Sequence, residues 1–344
     1  MLKKLAAILV LTFLLAGCSG KPQLVIYTWS DMFPPEVLKG FENENGIKIR
    51  YVNFDTNETM LAKLKAAKGG RYDIIIADDY MLENVFNEKL AQKLDHSRLA
   101  NFSNINPLFQ KQFYDPFDEY TVPYGAGVQT IVYDPKKVNF SINRYLDLWH
   151  PDLRQRLGII DNYRVINGMA LKVMGQSYNT NDLSVIREAG SFLSMLSPNI
   201  RLIRDNKLED ELVSGEISAA VMYTSQVTMA KIAKPDLKVI FPAEGLGFGI
   251  MGAFIPSAAP NVDTAYAFLD YILDAERGAK CFEYLGYYST FSASDSWINA
   301  EYRDFLTLPE NFLETGSMEM IQNISHEAEE LHNLIWTEFK AGTK

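Results

Sequence analysis

Between Leu24 and Ala77 the chain alternates two hydrophobic periods, and that alternation limits the fold more than any other feature. Leu24-Val25-Ile26-Tyr27 is a short unbroken apolar run, the pattern of a buried strand. Pro34-Pro35 then opens a helix that runs to about Asn45 and stops at Gly46. Residues 47–54 read as a second strand and residues 57–68 as a second helix, stopped by Gly69-Gly70. Residues 72–77 read as a third strand with Asp78-Asp79 at its carboxyl end. A β-α-β-α-β series implies a mostly parallel sheet covered by helices. Ligands of such sheets sit outside the carboxyl ends of the strands.

The same style continues through the middle of the chain. Strand patterns at 129–133 and 157–160 precede helical patterns at 164–175 and 181–196. A strand at 200–203, a helix at 207–214 and strands at 218–223 and 237–241 follow. Residues 248–255 form a strand able to re-enter the first sheet, and residues 319–340 read as an amphipathic helix. With 344 residues, no internal repeat and no Ser/Gly-rich linker, two α/β lobes are expected, each with its own core. Lobes without a flexible linker imply that the chain crosses between them more than once, which makes a hinged cleft. The expected division is 24–127 plus 250–296 for lobe 1 and 128–249 plus 297–344 for lobe 2.

Residues 1–17 stand apart from this pattern. Lys3 and Lys4 form a positive start and residues 5–15 an apolar stretch of signal-peptide length, too short to span a bilayer. Leu15-Ala16-Gly17-Cys18 resembles the bacterial lipoprotein cleavage box, which implies cleavage before Cys18, acylation of its thiol and a tether over 18–23. Cys281 is the only other cysteine, so no disulfide framework is expected. It lies in a helical pattern and reads as a small buried apolar residue. The expectation is a monomer in the periplasm or at the cell surface, held to the membrane through its lipid alone. The 43 acidic against 33 basic residues give a net charge of −10, opposite to the excess a nucleic-acid binder carries.

Catalytic patterns fail on inspection. His326 and His332 are six apart, not the three or four that places two ligands on one helix face. His326-Glu327 lacks the second histidine of a zinc-protease motif. All four histidines (His96, His150, His326 and His332) read as solvated surface residues, and no metal or cofactor is expected. Gly247, Gly249 and Gly252 fit G-x-G-x-x-G, but an apolar strand ended by Pro256 follows where a dinucleotide site needs a helix. These glycines instead permit close backbone approach or leave room in a cleft.

What remains is aromatic and acidic residues at strand ends: Trp29-Ser30-Asp31 and Asp78-Asp79-Tyr80. Short polar residues there often cap the next helix. The alternative is a site for a ligand ammonium, in which a ring face contributes roughly 0.5–2 kcal/mol and a carboxylate roughly 1.5–3 kcal/mol.

At this point the sequence resembles the spermidine/putrescine-binding lipoproteins and periplasmic receptors of bacterial ABC importers, over essentially all of the mature chain. The resemblance lies in Tyr27-Thr28-Trp29-Ser30-Asp31, Pro34-Pro35, FENENGI at 41–47 and NETM at 57–60. It continues in Tyr72-Asp73-Ile74-Ile75, Val122-Pro123-Tyr124, Asp147-Leu148-Trp149, Gly286-Tyr287 and Lys340-Ala341-Gly342. It implies an α/β, two-lobed periplasmic-binding-protein fold that closes on one solute and delivers it to permease subunits, and no enzymatic role.

The resemblance also assigns residues. Trp29, Tyr80 and Tyr287 fall on aromatic positions along the polyamine chain, Tyr223 where the family usually has Trp, and Gln322 on a polar contact. Ser30-Asp31 is similar to the pair that grips one amine, and Asp78 adds an acid where Ser is usual. Three expected carboxylates are replaced, by Asn162, Val165 and Met251. Gly249 stands where a ring is common, and Met32 replaces a Tyr. A buried cation without an opposite charge costs several kcal/mol. A different small ligand with one cationic end, or a structural or adhesive surface lipoprotein, therefore stays open beside the polyamine.

Overall fold

The computed structural model describes residues 23–204, 207–306 and 318–343. The leader and Cys18 lie outside the described residues. The first apolar run forms β1 (Gln23–Thr28). Pro34 and Pro35 start α1 (Pro35–Asn45), and Gly46 ends it at φ +65°, a conformation glycine adopts without strain. There follow β2 (Lys48–Asn53), α2 (Asn57–Ala66), β3 (Ile74–Asp78) and α3 (Asp79–Asn87). β1 pairs in parallel with both β2 and β3, as the alternation predicts.

A long strand, β4 (Val122–Tyr133), leads to β5 (Leu157–Ile159), α4 (Tyr163–Val173), α5 (Leu183–Ser194) and β6 (Ile200–Ile203). α6 (Leu208–Ser214), β7 (Ala219–Tyr223), α7 (Thr224–Ala233) and β8 (Lys238–Ile240) complete this half. β5 is parallel to β6 and β7. β9 (Leu246–Phe254) then runs antiparallel to β3 and β4. The sheet order is β2-β1-β3-β9-β4-β7-β5-β6. Two parallel trios are thus joined through one antiparallel pair, β4 and β9. α8 (Val262–Ile272), α9 (Ala275–Leu285), α10 (Ala300–Leu306), β10 (Met318–Met320) and α11 (His326–Gly342) close the described chain.

The cores divide at the same pair. Val122 and Tyr124 of β4 belong to a cluster with β1, β3 and α8. Ile131, Val132 and Tyr133 of the same strand belong to another, with β5, β7 and α4. Between these ends the β4–β9 register slips from Pro123 to Ala126, with Gly125 at φ +89°, the bend expected of a bulge. This is the two-lobed α/β fold.

Three expectations change. The strand read at 129–133 begins at Val122, because Pro123, Gly125 and Gly127 interrupt its apolar pattern. The helix read over 319–340 begins only at His326, where the Ser325 hydroxyl accepts from the Ala328 N–H. Residues 318–320 instead pair with β9. His332 is not a solvated surface residue: it is 1% exposed, on the face of α11 that packs against α4. The glycine-rich 247–252 lies inside β9, and Cys281 is fully buried, its thiol pushed up to about 12 by burial.

Candidate functional site

The carboxyl ends of β1 and β3 open beside the β4–β9 pair. Trp29 follows β1 and is half-buried, its ring 4.7 Å from that of Phe54. The Tyr51 hydroxyl fixes the next turn: it donates to the Trp29 carbonyl at 2.9 Å and accepts from the Met32 N–H at 3.0 Å. Ser30 and Asp31 are exposed on that turn, with Asp31 at φ +57°. Asp31 is near enough to the exposed Tyr284 to push its phenol up, after burial.

Asp78 occupies the N-cap position of α3 but makes no capping bond. Its carboxylate accepts from Asn57 Nδ2 at 2.8 Å, and the same amide nitrogen donates to Tyr80 Oη at 2.9 Å. Asn57, 5% exposed, therefore welds Asp78 to Tyr80. In the sequence Asn57 stands at a helix start and in the NETM segment, neither of which reveals its partners Asp78 and Tyr80. Burial pushes the Tyr80 phenol up, helped by Glu58 and Asp78, so it stays a neutral hydroxyl.

β4 and β9 form the floor, where Gly127 is registered against Gly249. The space a Cβ would occupy at Gly127 holds the Tyr287 ring, with atoms at 2.7 and 2.8 Å from that position. Gly249 is the one residue of β9 that is not buried. Beside it, Asp79 accepts from the Tyr80 N–H at 2.8 Å and the Ile250 N–H at 3.0 Å.

The far wall comes from the other parallel trio. Tyr223 ends β7, and its hydroxyl accepts from Asn162 Nδ2 at 2.9 Å. Asn162 Oδ1 caps α4 by accepting from the Val165 N–H at 3.1 Å, so this residue is committed to local structure. Gln322 is exposed; its backbone N–H donates to Asn179 and its carbonyl accepts from Arg164. Val165 and Met251 are core residues, 2% and 9% exposed. Burial lowers the Arg164 pKa from its usual value. Arg164 and Tyr80 line a cavity of about 230 Å³ with Glu58, Asn84, Asn323 and Glu329, which places residues of both halves around one space. The structure thus brings Asp78 and Tyr80 together, sets Tyr287 on the floor, and leaves Ser30 and Asp31 on the rim.

Rings and carboxylates at this spacing suit an alkylammonium: oxygens accept its N–H bonds and ring faces cover its methylenes. Among the described residues no group of three or more His, Cys, Asp or Glu is placed to hold a metal ion. No described helix is long and apolar enough to cross a membrane.

Fold and cleft together define a two-lobed solute-binding receptor. The chain belongs to the bacterial extracellular solute-binding protein family, whose model matches residues 36–304. It is 33% identical over 287 residues to the spermidine/putrescine-binding periplasmic protein of Salmonella typhimurium, covering 82% of this chain and 81% of that one. The Escherichia coli protein of the same description is 31% identical over 308 residues, covering 88% and 87%. The solved spermidine/putrescine ABC transporter substrate-binding protein of Streptococcus pneumoniae superposes with a TM-score of 0.78 at 27% identity, covering 94% of this chain and all of that one.

Proposed function

We propose that the protein is the polyamine receptor of an ABC importer, capturing a spermidine- or putrescine-type solute between its lobes and presenting it to permease subunits. The observation that carries this reading is the cleft itself, where Asn57 joins Asp78 to Tyr80 and Tyr287 lies on the glycine floor. The polyamine-binding relatives support it. Trp29, Ser30, Asp31, Asp78, Tyr80, Tyr223, Tyr287 and Gln322 are the proposed ligand contacts. Segments 24–127 plus 250–296 and 128–249 plus 297–344 are the proposed lobes, hinged on β4 and β9. The role is binding and release, with no bond made or broken in the solute.

Calorimetric titration of the chain from residue 23 onward with spermidine and putrescine tests the reading. Micromolar or tighter binding of at least one is expected; no binding of either would overturn it. The proposed lipid anchor is tested separately. Cys18→Ser should shift the full-length protein from the detergent phase to the aqueous phase, and a variant that still partitions with detergent would rule out acylation at Cys18.

A further inference from the structure

The strand that returns across the cleft offers Met251 where a polyamine site would want an acid, and the structure supplies a carboxylate from a different element. Asp78 of β3 is registered against Met251 of β9, so the chain leaving β3 starts α3 beside Ile250. Asp79, the first residue of α3, turns its side chain back onto that strand and hydrogen-bonds the Ile250 N–H through Oδ2. A Cβ built on Gly249 would meet only that oxygen within 4 Å, at 3.7 Å. Gly127, across the ladder, has its empty side filled by Tyr287. Gly249 is therefore a bare, partly open strip of backbone with a carboxylate oxygen on one flank and the Tyr287-covered glycine on the other.

We propose that Asp79 is a specificity-determining residue of the cleft: its Oδ2, reached over Gly249, receives one ammonium of the polyamine. The inference rests on the polyamine reading. Each oxygen of Asp79 accepts one backbone N–H, and a carboxylate oxygen has room for a second donor. An ammonium seated there would lie next to Gly127, whose open side the Tyr287 ring covers.

The electrostatics of the neighbourhood agree. Burial and the adjacent Asp78 of β3 raise the Asp79 carboxyl well above the ordinary range, against the two N–H bonds and Arg164 of α4, which favour its charged form. Tyr114, packed from the loop before β4, also feels Asp79; its hydroxyl is buried with no hydrogen-bond partner. An arriving cation adds to the groups that favour the anion. It should thus expel whatever proton Asp79 holds.

Two variants test this by calorimetry with spermidine and putrescine, each titration repeated at pH 6 in buffers of different ionisation enthalpy. Asp79→Asn keeps an oxygen for one backbone N–H but removes the charge. It should weaken binding about tenfold to a hundredfold and abolish the proton release expected of the wild type. Gly249→Leu brings its Cβ to an ordinary 3.7 Å from Asp79 and fills the seat beyond it, and should weaken binding at unchanged melting temperature. Wild-type affinity and unaltered proton release in Asp79→Asn, or wild-type affinity in Gly249→Leu, would overturn the proposal. Binding of neither polyamine to the wild-type protein would instead overturn the polyamine reading, and this inference with it.

Discussion

His332 is the residue whose surroundings depart furthest from what its position on an amphipathic helix suggests. Asn167 Nδ2 donates both to His332 Nδ1 at 3.1 Å and to the His332 carbonyl at 2.9 Å, so the ring serves as an acceptor and stays neutral. Burial first, and then the Arg164 charge, push its pKa from 6.5 down to about 4. Between those values the unfolded chain binds a proton that the folded chain refuses. Stability therefore rises with pH across this window and falls as pH drops from 6.5 towards 4, by up to about 3 kcal/mol. His332→Gln should flatten that part of the profile, subtracting the carboxylates that titrate nearby. Urea midpoints at pH 7, 5.5 and 4 measure it. Parallel profiles for the two proteins would mean that the ring titrates alike in the folded and unfolded chain.

At the scale of elements, β4 and β9 set the shape of the cleft through what they lack. Gly127→Ala would put a methyl 2.7 Å from a Tyr287 ring atom and 3.3 Å from Thr224 Oγ1. The ring must leave, so stability should fall by about 1–3 kcal/mol and polyamine affinity should fall with it. Gly249→Ala meets only Asp79 at an ordinary 3.7 Å and should leave stability within about 0.5 kcal/mol. Thermal melts of the two variants distinguish them; equal losses would mean that Tyr287 is not seated on Gly127. The same strands explain what the sequence could and could not reveal. β1 and β3 are buried on both faces, so each appears as an unbroken apolar run, and the helix after β1 carries proline at its start and glycine at its end. The first half of β4 is hidden by Pro123, Gly125 and Gly127, the residues that bend it and make room for Tyr287. β10 is three residues long and exists only through β9. In the site, Asp78 and Tyr80 could be picked out because strand ends announce ligand sites. The partners of Asn57 and Asp79 could not. Asn57 reads as the start of a helix and Asp79 as an acid in a first helical turn, until pairings 21 and 171 residues away in sequence are visible.

For the whole molecule, the decisive fact is that among the described residues the two cores are joined through the sheet by one antiparallel pair of strands. Relative motion of the halves would bend β4 and β9 near Gly125, where their register already slips. A solute held at the proposed contacts, Asp78 and Tyr80 on one side and Tyr223 on the other, would gain contacts as the halves approach. Its binding energy therefore favours the closed arrangement. Spermidine at a hundredfold excess over Kd should add about 2.7 kcal/mol to stability and raise the melting temperature. It should also reduce the radius of gyration measured by X-ray scattering. The two readouts must move together. A rise in melting temperature at constant radius would show that the cleft is closed before the solute arrives, and that β4 and β9 serve as a rigid spine rather than a hinge.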